Sequence, residues 1–152
     1  MFERYTEGAR RSLFFARFEA SRLGSLSIEP EHLLLGLIRQ PQDASLVRLQ
    51  LPLDAIRQAI ENQTALREKV DASVEIPFGG QLRRLFERAA AEADRIGQHD
   101  IHSGHLLLGI LREEGGPAAR VLAEHGVSLD AVRASIARAR DEDDDAGTQA
   151  GQ

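Results

Sequence analysis

The chain has 152 residues, a formal net charge of −5 and no cysteine. Its length supports one ordinary domain or two small ones, and a hydrophobic fraction of 42% excludes a wholly disordered chain. Disulfide scaffolds and thiolate sites are excluded, the acidic balance argues against a general nucleic-acid binder, and no apolar run is long enough to cross a membrane.

The first predicted helix covers residues 6–23. Thr6 suits the N-cap position, and Gly24 suits the residue that follows the last turn. Apolar side chains recur at helical spacing through this segment, at Leu13, Phe14, Ala16, Phe18, Ala20 and Leu23. The segment is therefore interpreted as an amphipathic helix.

The second predicted helix is short and apolar on all sides, over residues 33–38, which is typical of a central element. Pro30 fits its first turn. Gly36 lies in mid-helix, where glycine costs about 1 kcal/mol relative to alanine. We interpret this glycine as a point of close helix packing. Two further helices are predicted over residues 43–50 and 53–63.

The same order of elements then recurs, because segment 28–40 (IEPEHLLLGLIRQ) reappears as 101–113 (IHSGHLLLGILRE). After an insertion in the second copy, Leu53–Arg57 pairs with Leu129–Arg133. Identical pairs include Arg10/Arg83, Arg11/Arg84, Glu19/Glu92, Arg22/Arg95, Gly24/Gly97, His32/His105, Gly36/Gly109 and Arg39/Arg112. Such collinear identities indicate a duplication.

The second copy predicts helices over residues 80–96, 106–111, 116–124 and 128–140, with Ser103 as the N-cap of the second of them. The fold class is therefore all-α, with tandem duplicated four-helix units, about eight helices and pseudo-twofold symmetry. We assign residues 1–63 to the first repeat, 64–77 to a linker and 78–140 to the second repeat. Segment 141–152 is acidic and lacks large apolar side chains, so we expect a disordered tail.

Three blocks of this sequence together resemble a known family: the repeated EHLLLGLI and GHLLLGIL, the opening MFERYTEGARR, and IPFGGQLRRLFERA in mid-chain. The family is the amino-terminal (Clp R) domain of the Clp/Hsp100 unfoldases, and the chain is ClpC-like over about residues 1–140. The resemblance implies eight helices with pseudo-twofold symmetry. It also implies a chaperone-linked docking platform that delivers substrates and adaptors to an ATP-driven unfoldase and its protease.

An ATP-driven unfoldase needs a phosphate-binding loop of the form GxxxxGK[ST]. The only lysine in this chain is Lys69, and no such glycine pattern precedes it. We therefore expect a recognition domain without the ATPase, either freestanding or excised from a longer protein, and the acidic tail favours a natural end. We also expect no enzymatic activity, no cofactor and no ATP binding.

The family resemblance implies a ligand site at Glu31, which occupies the glutamate position of the family's GTEH motif. In relatives that carboxylate contacts the guanidinium of phosphoarginine, as expected for a bidentate charge pair. The alternative is that Glu31 only complements its own helix dipole. Pro30 replaces the preceding threonine. In the second copy Gly104 replaces the glutamate while Ser103 keeps a hydroxyl, so that pocket lacks its carboxylate.

Phe2 and Phe78, near the start of each copy, match family aromatics close to the surface that binds cyclic-peptide antibiotics in actinobacterial relatives. They are candidate anchors, with packing beneath the first helix of each copy as the alternative. Their presence leaves open a second function, sequestration of such peptides.

Histidines raise a third possibility, because His99, His102 and His105 form an HxxHxxH series that could bind a metal in an enzyme. They lie at a loop-to-helix junction, where such spacing need not converge. We favour a structural role for His32 and His105, bonded to the backbone or to a neighbouring helix.

The preferred interpretation is a non-catalytic recognition module that binds protein substrates, adaptors or Clp partners, and acts as an accessory or a decoy in Clp-dependent proteolysis. No signal segment is visible at the charged start, so we expect a cytoplasmic location. We expect no nucleic-acid or membrane partner.

Overall fold

The structure, a computed structural model, describes residues 2–39, 41, 43–65 and 67–150, with backbone only for 142–150. Across these residues it is all-helical, as predicted, and the only β-type pairings are two isolated bridges. Eight helices are found in the described chain: α1 Glu7–Arg22, α2 Pro30–Arg39, α3 Ala44–Leu49, α4 Leu53–Gln63, α5 Gly80–Arg95, α6 Ser103–Leu111, α7 Pro117–Glu124 and α8 Leu129–Ala150.

The ends of α1 and α5 are set by local sequence. Thr6 Oγ1 accepts a hydrogen bond from the Ala9 N–H at 3.1 Å, which confirms Thr6 as the N-cap of α1. Gly24 and Gly97 follow α1 and α5 with φ values of 77° and 70°, in the left-handed region that glycine adopts at little cost. Both helices therefore end where the sequence predicts.

Gly36 and Gly109 are points of close helix approach, as predicted. A Cβ atom on Gly36 would lie 2.5 Å from Ser12 O and 2.8 Å from Ala16 N, both main-chain atoms of α1. A Cβ atom on Gly109 would lie 2.8 Å from Leu85 O on α5. In both repeats the second helix can approach the first only because a side chain is missing.

The two repeats interlock rather than stand side by side. The third helix of each repeat packs against the fourth helix of the other, so that α3 contacts α8 and α4 contacts α7. The apolar helices α2 and α6 contact each other and helices of both repeats, and their leucines are largely buried. The predicted boundaries at 63 and 78 therefore delimit repeats in sequence that share one core.

The segment between the repeats has no helix in its described part and is held against α1. Ser21 Oγ donates to Val70 O at 2.6 Å, and the Val70 N–H donates to Ser21 O at 3.0 Å. Ile76 is buried. Parallel bridges then pair Tyr5 with Ile101 and Ile28 with Phe78, which are equivalent positions exchanged between the repeats.

Two expectations differ from the structure. Ser103 is the first residue of α6 rather than its N-cap, because the cap is His102, whose main-chain N–H donates to His105 Nδ1 at 3.1 Å. The backbone of α8 continues to Ala150, where we expected disorder from residue 141. Extending an existing helix costs far less than starting one, which accounts for the continuation. Residues 151 and 152 lie outside the described chain.

No helix in the described part of the chain is long and apolar enough to span a bilayer.

Candidate functional site

The four predicted site residues lie in three places. Glu31 lies in the first turn of α2 and lines a cleft. Phe2 and Phe78 meet in an aromatic cluster. Ser103 is buried, and its hydroxyl lies 3.5 Å from the Ser12 hydroxyl of α1. The structure therefore joins the two phenylalanines but does not bring all four residues into one site.

The cleft at Glu31, called the first cleft below, has a volume of about 750 Å³ and lies between the repeats. The start of α2 forms one side and α7 of the second repeat forms the other. Its charged lining consists of Glu29, Glu31, Arg67, Arg120 and Glu124. A site with both signs of charge on facing elements can hold a ligand that is itself dipolar.

Glu31 is a half-buried acid of this cleft. Burial raises the pKa of its carboxyl, its own main-chain hydrogen bond lowers it, and the negative charge of Glu29 raises it again, so that the net shift is upward. No ion pair to Glu31 is found among the described residues. A cationic group that enters the cleft would therefore neutralise the charge of a carboxylate that has no ion-pair partner among the described residues.

The neighbours of Glu31 are fixed by hydrogen bonds. The Glu29 N–H donates to His32 Nδ1 at 3.0 Å, and Ser27 Oγ donates to Glu29 Oε1 at 2.6 Å. Burial lowers the pKa of His32 to about 4, so its ring is neutral at pH 7 and accepts this bond. The predicted structural role of His32 is confirmed, since its ring holds the start of α2.

A second cleft of about 630 Å³ occupies the equivalent place in the second repeat. Gly104 stands where Glu31 stands in the first repeat. A side chain on Gly104 would collide with Ser45 Oγ and would lie 2.9 Å from the His102 ring. The space that a glutamate side chain at position 104 would need is therefore already filled. Different side chains line the second cleft.

Asp43 and His102 form a polar pair in the second cleft. This pair joins the two repeats. His102 Nδ1 lies 2.9 Å from Asp43 Oδ2, and the Gly104 N–H donates to the same nitrogen at 3.2 Å. Burial raises the pKa of Asp43, but hydrogen bonds and charge from His102, together with bonds from Ser45, lower it to about 2. No local pattern indicates this pair, because its members lie on different repeats.

The histidine series does not converge. His105 is buried, its Nδ1 accepts from the His102 N–H, and the two rings lie 3.9 Å apart between centroids. His99 is exposed on the rim of the second cleft. The described residues contain no group of three His, Asp or Glu side chains placed to hold a metal ion. The backbone bond of His105 confirms its predicted structural role.

Phe2 and Phe78 are half-buried and pack edge-on across the repeat boundary, with centroids 5.8 Å apart. Phe86 of α5 lies 5.3 Å from each of them, and Tyr5 lies 4.9 Å from Phe2. Edge-to-face packing of this kind stabilises an apolar junction. The cluster thus joins the beginnings of the two repeats.

Comparison with known proteins agrees with this architecture. Residues 4–125, and again 89–151, match the Clp repeat (R) N-terminal domain. The chain is 36% identical over 137 residues to ClpC/MecB of Bacillus subtilis and 38% identical over 141 residues to chloroplastic ClpC1 of rice. These matches cover 90% and 91% of this chain but only 17% and 15% of the relatives, so the chain spans a small part of their length.

Solved structures show the same fold. The N-terminal domain of ClpD from Arabidopsis thaliana matches with a TM-score of 0.73 and 28% identity, covering 92% of this chain and 97% of that one. The N-domain of ClpV from Vibrio cholerae matches with a TM-score of 0.74 at 18% identity, over 91% of this chain and 86% of that one. The chain belongs to the Clp repeat (R) N-terminal domain family.

Proposed function

We propose that this protein is a non-catalytic recognition module that binds segments of partner proteins in the first cleft. The observation that carries the proposal is the half-buried Glu31 carboxylate beside Glu29, open to a cleft between the repeats. A carboxylate held in this way selects a guanidinium or ammonium group, because charge-assisted hydrogen bonds strengthen as water is excluded.

The far side of the first cleft suggests a more specific ligand. Arg67 and Arg120 are exposed cations on its lining. A phosphorylated arginine side chain carries a guanidinium-like group and a phosphate, and could engage Glu31 at one end and these arginines at the other. The second cleft has Gly104 in place of the Glu31 carboxylate, so we propose one such site in the protein rather than two.

A related fold supports recognition of peptide segments. A ClpV N-domain with 18% identity and a TM-score of 0.71 has been solved in complex with a VipB peptide. For this chain we propose binding to substrates or adaptors of a cytoplasmic Clp machine, as an accessory that delivers them or a decoy that withholds them.

The experiment is a binding titration with two labelled peptides of identical sequence, one carrying a phosphorylated arginine. We expect the phosphorylated peptide to bind more tightly, and Glu31→Gln to weaken its binding about tenfold or more. Glu87→Gln, an exposed α5 substitution outside the cleft, serves as the matched control and should bind like the unaltered protein.

Glu31→Gln is also expected to fold normally, because it removes a carboxylate whose charged form burial disfavours. Loss of binding therefore reports on the ligand rather than on unfolding. Binding of either peptide that is unchanged in Glu31→Gln would exclude the first cleft as the recognition site.

A further inference from the structure

The outer face of α1 carries a group of exposed aromatic side chains that the core does not use. The Phe14 side chain is 66% exposed and that of Phe18 is 42% exposed. Phe15, which lies between them in the sequence, is half-buried. The Phe14 and Phe15 rings lie 5.7 Å apart between centroids. Single exposed apolar residues are ordinary, but contiguous aromatic patches mark interaction surfaces.

A cation is stacked on this patch. The Arg39 guanidinium carbon lies 4.7 Å from the Phe15 ring centroid and 4.5 Å from that of Phe18. Arg39 Nη1 also lies 3.7 Å from Oε1 of the buried Glu19. A buried carboxylate thus helps to position the arginine that orders the rings, which reduces the entropy that binding must overcome. Phe14, Phe15, Phe18 and Arg39 together are called the α1 phenylalanine face.

The second repeat shows that the fold does not need these rings. The positions of Phe14, Phe15 and Phe18 are occupied there by Glu87, Arg88 and Ala91. The supporting charge pair is nevertheless retained, since the equivalent Arg112 lies 3.7 Å from the buried Glu92. One fold therefore accommodates a polar face in one repeat and an aromatic face in the other.

Arg17 adds a positive charge on α1 close in sequence to the phenylalanines, in a protein whose net charge is −5. Arg17 lies on α1 three residues from Phe14 and donates to the carbonyl of Val74 at 3.0 Å. Carbonyl oxygens leave the formal charge of a guanidinium uncompensated. No ion pair to Arg17 is found in the part of the chain that the structure describes.

We propose that the α1 phenylalanine face docks a segment of a partner protein in which apolar side chains are flanked by aspartate or glutamate. The rings supply the apolar anchor, and Arg17 and Arg39 complement the acids. Symmetric pairing with a second copy would place the same arginines against one another, which opposes self-association. This site is separate from the first cleft, and its test does not depend on that proposal.

The experiment selects a phage-displayed library of random peptides, about 12 residues long, on the unaltered protein. Excess Phe14→Glu/Phe18→Ala double variant is present as competitor. This variant installs the side chains that the second repeat carries at the same places, so we expect it to fold. Circular dichroism checks that it does. Leu26→Ser removes another exposed apolar side chain, which is 70% exposed and lies outside α1, and is the matched control.

The selected peptides should combine apolar residues with Asp or Glu. The Kd of a representative peptide should rise about tenfold or more in the double variant and stay unchanged in Leu26→Ser. The same Kd should rise with salt, because the arginine contacts are exposed. Peptides without acids, or no enrichment that depends on the face, would overturn the proposal.

Two further outcomes would assign the face to another occupant and so contradict the proposal. The first is sedimentation with phosphatidylserine vesicles that is lost in the double variant, which would indicate a membrane surface. The second is a dimer in analytical ultracentrifugation that the double variant abolishes, which would indicate a second copy of this chain.

Discussion

The buried carboxylate of Glu92 on α5 accepts a hydrogen bond from Arg133 of α8, with 2.6 Å between Oε1 and Nη2. Arg95 and Arg112 also approach this carboxylate, at 3.3 Å and 3.7 Å. Three arginines thus surround one buried acid. Burial raises the pKa of Glu92, but hydrogen bonds and charge from Arg133 and Arg95 outweigh it, and the pKa lies below its ordinary value.

The first repeat contains the same arrangement at the equivalent residues. Glu19 is buried on α1, with Arg22 at 2.8 Å, Arg57 of α4 at 3.1 Å and Arg39 at 3.7 Å. In each repeat the first helix is therefore tied to the fourth by a carboxylate that water does not reach. Within one repeat, the first and fourth helices are joined by charge, and the fourth helix packs against the other repeat.

Replacing Glu92 by glutamine should destabilise the fold, because the arginines around it lose their buried counter-charge. We expect a loss of about 2–4 kcal/mol in the free energy of unfolding, measured by urea denaturation at pH 7. Glu19→Gln should cost a similar amount. Glu87→Gln, an exposed control on α5, should change stability by less than about 0.5 kcal/mol. Losses below about 1 kcal/mol for both buried variants would show that the arginine clusters around Glu92 and Glu19 do not stabilise the fold.

Gly36→Ala should destabilise the protein even though alanine is the better helix former. The added Cβ would meet main-chain atoms of Ser12 and Ala16, which cannot rotate away. We expect a loss of at least about 2 kcal/mol. Gly8 lies in α1, where a Cβ atom would have no neighbour within 4 Å, so Gly8→Ala should stabilise by about 0.5–1 kcal/mol. Thermal denaturation distinguishes the two, and equal effects would refute the close-packing interpretation.

Stability should fall as the pH is lowered from about 6.5 to 4, because His32 must stay neutral to accept from Glu29. Its pKa is lowered by burial from 6.5 to about 4 in the folded protein, so the unfolded chain binds the proton first as the pH falls. This single group accounts for about 3 kcal/mol by pH 4. The contribution is fully present only above pH 6.5.

The variant His32→Asn checks the origin of that pH dependence. Its side-chain oxygen can accept the Glu29 N–H but does not titrate in this range. We expect a variant that is less stable at pH 7 and has a shallower dependence of the urea midpoint on pH. A pH dependence as steep as that of the unaltered protein would assign it to other groups, such as His105, whose pKa burial and neighbouring charges lower to about 3.

Much of the fold follows from the sequence because duplication and helix ends are local signals. Thr6, Gly24 and Gly36 each predict a cap, a stop or a close approach that needs only nearby residues to recognise. The cap of α6 was missed, since a histidine in place of the usual serine or aspartate relies on a second histidine one turn away. The helical backbone of segment 141–150 was not predicted, because a prediction from composition alone takes no account of the helix that precedes the segment.

The candidate site was less predictable because its parts come from both repeats. Glu31 is marked by the family motif, but the opposite wall, with Arg120 on α7, depends on how the repeats interlock. The Asp43–His102 pair could not be predicted for the same reason, because its two members belong to different repeats. The sequence pattern also did not predict that Phe14 and Phe18 are exposed, since phenylalanines at helical spacing are typical of a core. The face of α1 that meets α2 is instead filled by Ala9, Leu13, Ala16 and Ala20.

The central claim is that the two repeats share one fold, while only the first keeps the Glu31 carboxylate in its cleft to bind a partner's cationic group. The most direct test is to titrate ¹⁵N-labelled protein with free phosphoarginine and follow the amide shifts by NMR. We predict saturable shifts at Glu31, His32 and Arg120, abolished in Glu31→Gln, with none at His102 or Asp43. Saturable shifts confined to the second cleft, or shifts at the first cleft that persist in Glu31→Gln, would contradict the account.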